Sequence, residues 1–488
     1  MYCEINSAYL IGLSTIAIRV EVSATPGLPQ ETIIGLPDTV VKESRSRIKS
    51  ALKLSNFNLP PMAYTINLAP IDISKKSPCL ELAITVGLLV ITNQISIKKK
   101  YCFLGSLSLN GAIEPIRSIL PIIYFYKNDV IFVIPKKNCS EIKFLEGIRY
   151  KAIDTLADLS ILDSIPESTV NYKPNIQPRI KNTLNFDSII GHSIAKQACA
   201  FSIAGGIPLL FIGPPGIGKT LLINHMKSLV LPLSIDKAIE NFCIQSILTS
   251  DPEFTQLPRF QAPHHTSTYS GMIGGQNPPK PGDISLANHG ILFLDELGEY
   301  KRDILDTLRE PLETAKITIS RAGHNITFPA NFLLVSAMNP CHCGYFFSLD
   351  QPCQCRPNQI HRYWHRLSNP LLDRFGICLI LNKPHNNQFT ISHQTLLEMI
   401  HRSKEIASQR NPNGCKNNDI PFDLLIDLCQ FETGSLAMID KFCETSSFRA
   451  RNRLIKLSLT IADCNNASLI KPCHVALAIQ LSQHSQLP

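Results

Sequence analysis

No apolar run in the sequence reaches the roughly 18 residues that a membrane-spanning helix requires. The nearest, residues 80–92, is shorter and carries Glu81. The amino terminus, Met1-Tyr2-Cys3-Glu4, lacks a basic segment followed by an apolar core, so secretion is not expected and a cytoplasmic, reducing setting is. In that setting the 16 cysteines are expected as free thiols or metal ligands, not as a disulfide framework. Glycine (24) and proline (34) are dispersed along the chain, which excludes collagen-like and low-complexity architectures. Neither sign of charge dominates. Lys+Arg 47 against Asp+Glu 39 gives a formal net charge of +8, which permits an anionic partner without requiring one. What is present is apolar material: 44% hydrophobic against 18% charged residues is enough for real cores and excludes wholesale disorder. At about 150 residues per domain, 488 residues suggest three domains.

Residues 1–165 read as a mixed α/β domain. Ile16, Ile18, Val20 and Val22 alternate with polar neighbours as in a strand; residues 39–54 have helical spacing; 64–68 and 130–134 read as strands and 80–90 as a buried helix. Residues 166–182 are rich in proline and polar residues and read as a linker. Over 183–385 apolar strands alternate with helical patterns, the signature of a parallel sheet. Over 386–488 the strands stop, and 389–409, 422–431, 448–463 and 472–483 have helical spacing.

Gly213-Pro214-Pro215-Gly216-Ile217-Gly218-Lys219-Thr220 fits G-x-x-x-x-G-K-[ST], with a buried strand before it and an apolar helix after it. Glycines let successive backbone N–H groups turn toward phosphate oxygens, and the helix N-terminus adds partial positive charge. Lys219 is expected on the β/γ-phosphates and the Thr220 hydroxyl on Mg²⁺. Ile291-Leu292-Phe293-Leu294 is a buried strand ending in Asp295-Glu296. Paired carboxylates are costly at the end of a central strand unless they have chemistry to do. Asp295 suits the Mg²⁺ shell and Glu296 suits activation of the attacking water. A third buried strand, 332–337, delivers Asn339, which is placed to hold the γ-phosphate or the water; a turn asparagine before Pro340 is the plainer reading. ATP hydrolysis with Mg²⁺ is expected.

These segments resemble the Walker A, Walker B and sensor 1 elements of AAA+ ATPases. Further strings, Ala262-Pro263-His264-His265-Thr266, Pro281-Gly282-Asp283-Ile284-Ser285-Leu286-Ala287, Ala337-Met338-Asn339-Pro340-Cys341 and, near the amino terminus, Asn67-Leu68-Ala69-Pro70, resemble the ComM (YifB) family of magnesium-chelatase-like proteins, in matching order over nearly the whole chain. The resemblance implies an α/β fold: a P-loop AAA+ parallel sheet with a helical C-terminal lid, preceded by a Lon-protease-like (S5-like) α/β domain. It implies a homo-oligomeric ring, expected to be a hexamer, with ATP between subunits. Leu371-Leu372-Asp373-Arg374-Phe375 is similar to the arginine-finger segment, making Arg374 a trans residue for a neighbour's ATP. Ser447-Phe448-Arg449 is similar to sensor 2, with Arg451 and Arg453 as competitors for that role. Two insertions, 258–287 and a hairpin around Gly323, project toward the pore in the family, and Arg321 and His264-His265 are candidates for nucleic-acid contact there, or plain structural elements.

Cys341-His342-Cys343 and Cys353-Gln354-Cys355 form two C-x-C pairs whose four thiolates can satisfy tetrahedral Zn²⁺; the family shows the same arrangement, so a structural zinc is expected, against four reduced cysteines in a loop. The following Arg356-Pro357-Asn358-Gln359-Ile360-His361-Arg362-Tyr363-Trp364-His365-Arg366 interleaves basic and aromatic residues, which suits single-strand contact by charge and stacking or a subunit interface.

In the amino-terminal domain the positions similar to the Lon nucleophile and lysine hold Cys79 and Leu120; a nucleophile needs an adjacent base, so protease activity is not expected. The resemblance implies an ATP-dependent DNA motor, of helicase type, that promotes branch migration during recombination in natural transformation. The alternative is a chelatase-like protein-remodelling ATPase without a DNA substrate.

Overall fold

A computed structural model describes residues 1–35, 39–71, 75, 78–126, 129–171, 184–249, 252–276, 279–321, 324–383, 390–444 and 447–487. The chain forms two compact units, one of residues 1–177 and 242–254 and one of 178–241 and 255–488.

The first unit is built on an eight-stranded mixed sheet in the order Ser168–Thr169, Arg149–Ile153, Ile131–Pro135, Tyr101–Phe103, Tyr2–Ile11, Ser14–Thr25, Ala63–Ala69, Gln30–Ile34. Its spine is the antiparallel pair Tyr2–Ile11 and Ser14–Thr25, with Asn6 opposite Arg19. Ile18, Val20 and Val22 are all buried, as their alternation predicts. The helix Glu81–Ile91 lies against this pair so closely that a Cβ on Gly87 would come within 2.6 Å of Val22 Cγ2. Buried Glu81 is fully engaged: Ser44 and Arg47 donate to Oε1, and the Leu107 N–H donates to Oε2 at 2.7 Å. Cys79 is buried, with its thiol directed at the Ala8 carbonyl at 3.7 Å, and Leu120 is buried too. Both behave as core side chains. Ser168–Thr169, within the segment read as a linker, forms the edge strand by pairing with Arg149–Ile153; residues 172–182 of that segment lie outside the described residues.

The second unit carries a five-stranded, wholly parallel sheet in the order Phe260–Gln261, Ile291–Leu294, Leu333–Met338, Leu209–Ile212, Ile377–Ile380. The last four strands are almost entirely buried, which is why they read as continuous apolar runs instead of alternating ones. Leu209–Ile212, the first in the chain, inserts between Leu333–Met338 and Ile377–Ile380, so sequence order and spatial order part company there. Ligand sites of parallel sheets form at the carboxyl ends of the strands at such a point.

Every described element after Ile380 is helical: His393–Arg410, Phe422–Leu428, Ser435–Phe442, Phe448–Cys464 and Pro472–Leu481, with short 3-10 turns between. Their core is continuous with that of the sheet. A Cβ on Gly205, in helix Ser193–Gly205, would approach Thr460 Oγ1 to 2.6 Å. The buried carboxylate of Asp463 is held by both guanidinium nitrogens of Arg410, at 2.7 and 2.9 Å, and by Asn417 at 2.7 Å. The architecture is thus the expected one: an α/β chain with a parallel-strand P-loop unit and a helical carboxyl-terminal part. The helix Ser435–Phe442 is an addition to the sequence reading. It starts from Gly434 at φ 88° with no side-chain cap, so nothing local announces it. Among the described residues, no helix is long and apolar enough to cross a membrane.

Candidate nucleotide-binding site

Ile212 pairs with Met338, so Gly213 and Asn339 leave adjacent strands side by side. Leu294 pairs with Ser336, which brings Asp295-Glu296 out at the same sheet end. Gly216 and Gly218 take φ 77° and 96°, and a Cβ at either would meet nothing within 4 Å. Glycine is needed there for backbone conformation, not for room. The helix Lys219–His225 then starts on the loop.

Lys219 Nζ donates to Gly213 O at 2.7 Å, Pro214 O at 2.9 Å and Asn339 Oδ1 at 3.0 Å. Burial pulls its pKa down to about 8, against the pull of Asp295. The cation is therefore partly desolvated, and a phosphate oxygen approaching the loop would meet it at close range. Thr220 Oγ1 donates to Asp295 Oδ2 at 2.9 Å. A hydroxyl and a carboxylate oxygen about 2.9 Å apart match two neighbouring corners of an Mg²⁺ octahedron with bonds of about 2.1 Å, so this donor set fits that ion. Glu296 sits beyond Asp295 in the left-handed region, φ 51° and ψ 48°, with its side chain exposed. Gly213, Lys219, Thr220, Asp295 and Asn339 are thereby brought together, with Glu296 beside them.

Arg374 and Arg449 stand elsewhere. Arg374 donates to Pro370 O at 2.8 Å and pairs with Glu313. Arg449 reaches the same Glu313 carboxylate at 3.3 Å. Both line a cavity of about 840 Å³ that contains none of Gly213–Thr220, Asp295, Glu296 or Asn339. The competitors named from sequence are otherwise engaged: Arg451 pairs with Asp440 at 2.7 Å, and Arg453 is partly buried against Asp373 and the Phe375 carbonyl. Glu313 had no sequence signal. It lies 61 and 136 residues from its two partners.

In the cysteine cluster, Cys341 Sγ lies 3.3 Å from Cys343 Sγ and 3.7 Å from Cys353 Sγ, with 3.5 Å between the latter two. All four sulfurs, Cys355 included, lie within 4.8 Å of one another. A tetrahedral Zn²⁺ with bonds of about 2.3 Å sets its sulfurs about 3.8 Å apart, so the donor set fits zinc. Burial works against ionisation of Cys343, but the N–H groups of Tyr345 and Gln354 and the neighbouring thiols outweigh it and pull its pKa down to about 6. His342 turns away and packs edge-on against Tyr363.

The stacking expectation for the next segment fails. Tyr363 and Trp364 are only 3% and 4% exposed, and Trp364 Nε1 donates to Pro340 O at 2.9 Å. The helix Pro357–Trp364 uses its aromatics to anchor the cysteine loop. Arg356, His361, Arg362, His365 and Arg366 remain exposed. The expected hairpin is present as Lys316–Arg321 and His324–Pro329, with Ile317, Ile319, Ile326 and Phe328 buried; the side chain of Arg321 and residues 322–323 lie outside the described residues.

The family described as magnesium chelatase, subunit ChlI, matches residues 185–389; its carboxyl-terminal part matches 391–482 and a further ChlI segment matches 20–138. The chain is 34% identical to the competence protein ComM of Haemophilus influenzae, covering 96% of this chain and 95% of that one. It is 33% identical to YifB of Escherichia coli, with 97% and 96% covered. The magnesium-chelatase 38 kDa subunit of Cereibacter sphaeroides is 26% identical over 42% of this chain and 60% of its own. With a P-loop, an acidic strand end and Asn339 just beyond a third buried strand in one parallel sheet, and a relative matched along almost its whole length, the chain belongs to the ComM/YifB family of magnesium-chelatase-like AAA+ proteins.

Proposed function

We propose that the protein is an Mg²⁺-dependent ATPase that works as a homo-oligomeric, six-membered ring in the cytoplasm. In this reading it drives branch migration of DNA during recombination in natural transformation. The observation that carries the ring is the separation of the two halves of the site. Lys219, Thr220, Asp295 and Asn339 meet on one face, while Arg374 and Arg449 gather at Glu313 around a cavity holding none of them. A second copy of the chain would supply arginines to the first copy's phosphates.

In each site the loop N–H groups and Lys219 hold the β- and γ-phosphates. Thr220 and Asp295 would hold Mg²⁺, which would neutralise charge on those phosphate oxygens. Glu296 accepts the proton of the attacking water, Asn339 orients the water or the γ-phosphate, and Arg374 and Arg449 of a neighbouring copy balance charge developing in the transition state. The cysteine cluster, loaded with zinc, fixes the loop that leads into the basic helix Pro357–Trp364.

DNA as the substrate is supported by exposed His361 and Arg362 of that helix with Arg356, His365 and Arg366 flanking it and by the similarity to a competence protein. The test is migration of a three-strand junction by the purified protein with ATP, using Lys219→Ala as the blank. ATP-dependent migration absent from the blank supports the reading. Junctions left untouched, together with ATPase activity indifferent to DNA, favour a protein-remodelling ATPase instead, the reading suggested by similarity to the chelatase subunit.

A further inference from the structure

The cysteine cluster is built against the phosphate loop. Cys341 follows Asn339 with only Pro340 between them, and Asn339 Oδ1 accepts from Lys219 Nζ at 3.0 Å. Just after Cys343 the chain turns back at Gly344, which takes φ 85° and donates its N–H to Cys341 O at 3.0 Å. A Cβ on Gly344 would stand 2.7 Å from Pro215 Cδ. Only glycine combines that left-handed turn with so close an approach, so this knuckle rests on the middle of the Gly213–Thr220 loop. The loop is tied to the same strand from its other end: Gly213 N donates to Met338 O at 3.2 Å.

The knuckle is also held from behind. Trp364 Nε1 donates to Pro340 O at 2.9 Å, a buried bond to the one residue between Asn339 and Cys341. A Cβ on Gly298 would come within 2.5 Å of the Tyr363 hydroxyl, and Arg366 Nη1 donates to Gly298 O at 3.2 Å, so the same helix grips the turn after Ile291–Leu294. The four sulfurs, all within 4.8 Å of one another, are the knuckle's remaining internal tie. Unligated thiols attract one another weakly, and thiolates repel. Around a tetrahedral ion the four are locked at one spacing, and the backbone between them is locked with them.

We propose that the cysteine knuckle is a positioning element of the nucleotide site, so that zinc and ATP bind cooperatively. The inference rests on the zinc and ATP readings given above. With the four sulfurs held, Gly344 keeps its seat against Pro215 and Asn339 keeps its place beside Lys219. With them released, the segment from Asn339 to Gly344 loses its restraint, and the phosphate loop loses a wall. Linkage makes the effect reciprocal: the factor by which zinc raises the affinity for ATP is the factor by which ATP raises the affinity for zinc.

The experiment measures both limbs of this cycle on the full-length chain. A fluorescent, non-hydrolysable ATP analogue is titrated with Mg²⁺ before and after zinc is stripped by a strong chelator. Zinc affinity is read by competition with a chromogenic chelator, with and without the analogue. The expected result is analogue affinity about fivefold or more lower without zinc, and zinc affinity raised by the same factor at saturating analogue. Gly344→Ala at saturating zinc is expected to carry about one zinc per chain and still lose a similar factor in analogue affinity, which a knuckle that serves folding alone would not show. Analogue affinity that zinc removal leaves unchanged, or that is unchanged in zinc-loaded Gly344→Ala, overturns the proposal. If the stripped chain unfolds, Gly344→Ala decides alone. A chain that takes up no zinc overturns the zinc reading and this proposal together; a zinc-loaded chain that binds no analogue overturns the ATP reading and this proposal together.

Discussion

Lys219 Nζ and Asn339 Oδ1 stand 3.0 Å apart although 120 residues separate them in sequence. The two meet because Leu209–Ile212 and Leu333–Met338 are parallel neighbours whose carboxyl ends are level. Their hydrogen bond makes the third strand part of the phosphate site, so substitutions at either residue should act on the same step. Lys219→Ala is expected to lower kcat by at least about 100-fold, and Asn339→Ala by about tenfold or more with little change in KM. Steady-state ATP hydrolysis checks both.

Arg374→Ala and Arg449→Ala are each expected to be inactive alone, because in the proposed ring their side chains would serve a neighbour's nucleotide. Mixing Arg374→Ala with Lys219→Ala then restores activity: in a random ring about a quarter of the interfaces pair an intact loop with an intact arginine. Recovered ATPase on mixing is the expected outcome. Two inactive proteins that stay inactive together, despite forming mixed rings by mass measurement, contradict it.

The cysteine geometry predicts about one zinc per chain. Cys343→Ser or Cys353→Ser should remove it, and a strong chelator should lower the unfolding temperature of the unaltered protein but not of either variant. Elemental analysis and thermal unfolding read the two effects.

Loss of exposed charge on the basic helix should weaken DNA binding without touching basal hydrolysis. Arg356→Ala and Arg362→Ala are each expected to reduce the slope of log affinity against log salt by about one for every phosphate that the arginine neutralises. A salt titration by fluorescence anisotropy checks this.

His484 makes stability depend on pH. Burial, with Arg453 nearby, pulls its pKa down to about 4. The unfolded chain, with the ordinary value near 6.5, binds the proton first as pH falls. The stability associated with neutral His484 is therefore complete above about pH 6.5 and is lost progressively down to about pH 4, at most about 3 kcal/mol. His484→Gln should flatten the fall in denaturant midpoint across that window.

Much of this was legible in the sequence because the chemistry is local. The phosphate loop must be contiguous to wrap an anion, and the strands of a parallel sheet must be apolar on both faces, so Gly213–Thr220 and Leu292–Glu296 announce themselves. What stayed hidden depends on tertiary placement. Tyr363 and Trp364 look like a stacking platform among arginines until the Pro340 carbonyl claims the indole. Glu313 is one carboxylate in a short helix until two distant arginines converge on it.

Coupling of hydrolysis at the Lys219 site to DNA is what the proposed motor requires. It is tested most directly by ATP hydrolysis of the purified protein with no DNA, with single-stranded DNA and with a branched junction, against Lys219→Ala. Strong stimulation by DNA that disappears in the variant is the predicted result; robust hydrolysis that no DNA alters contradicts it.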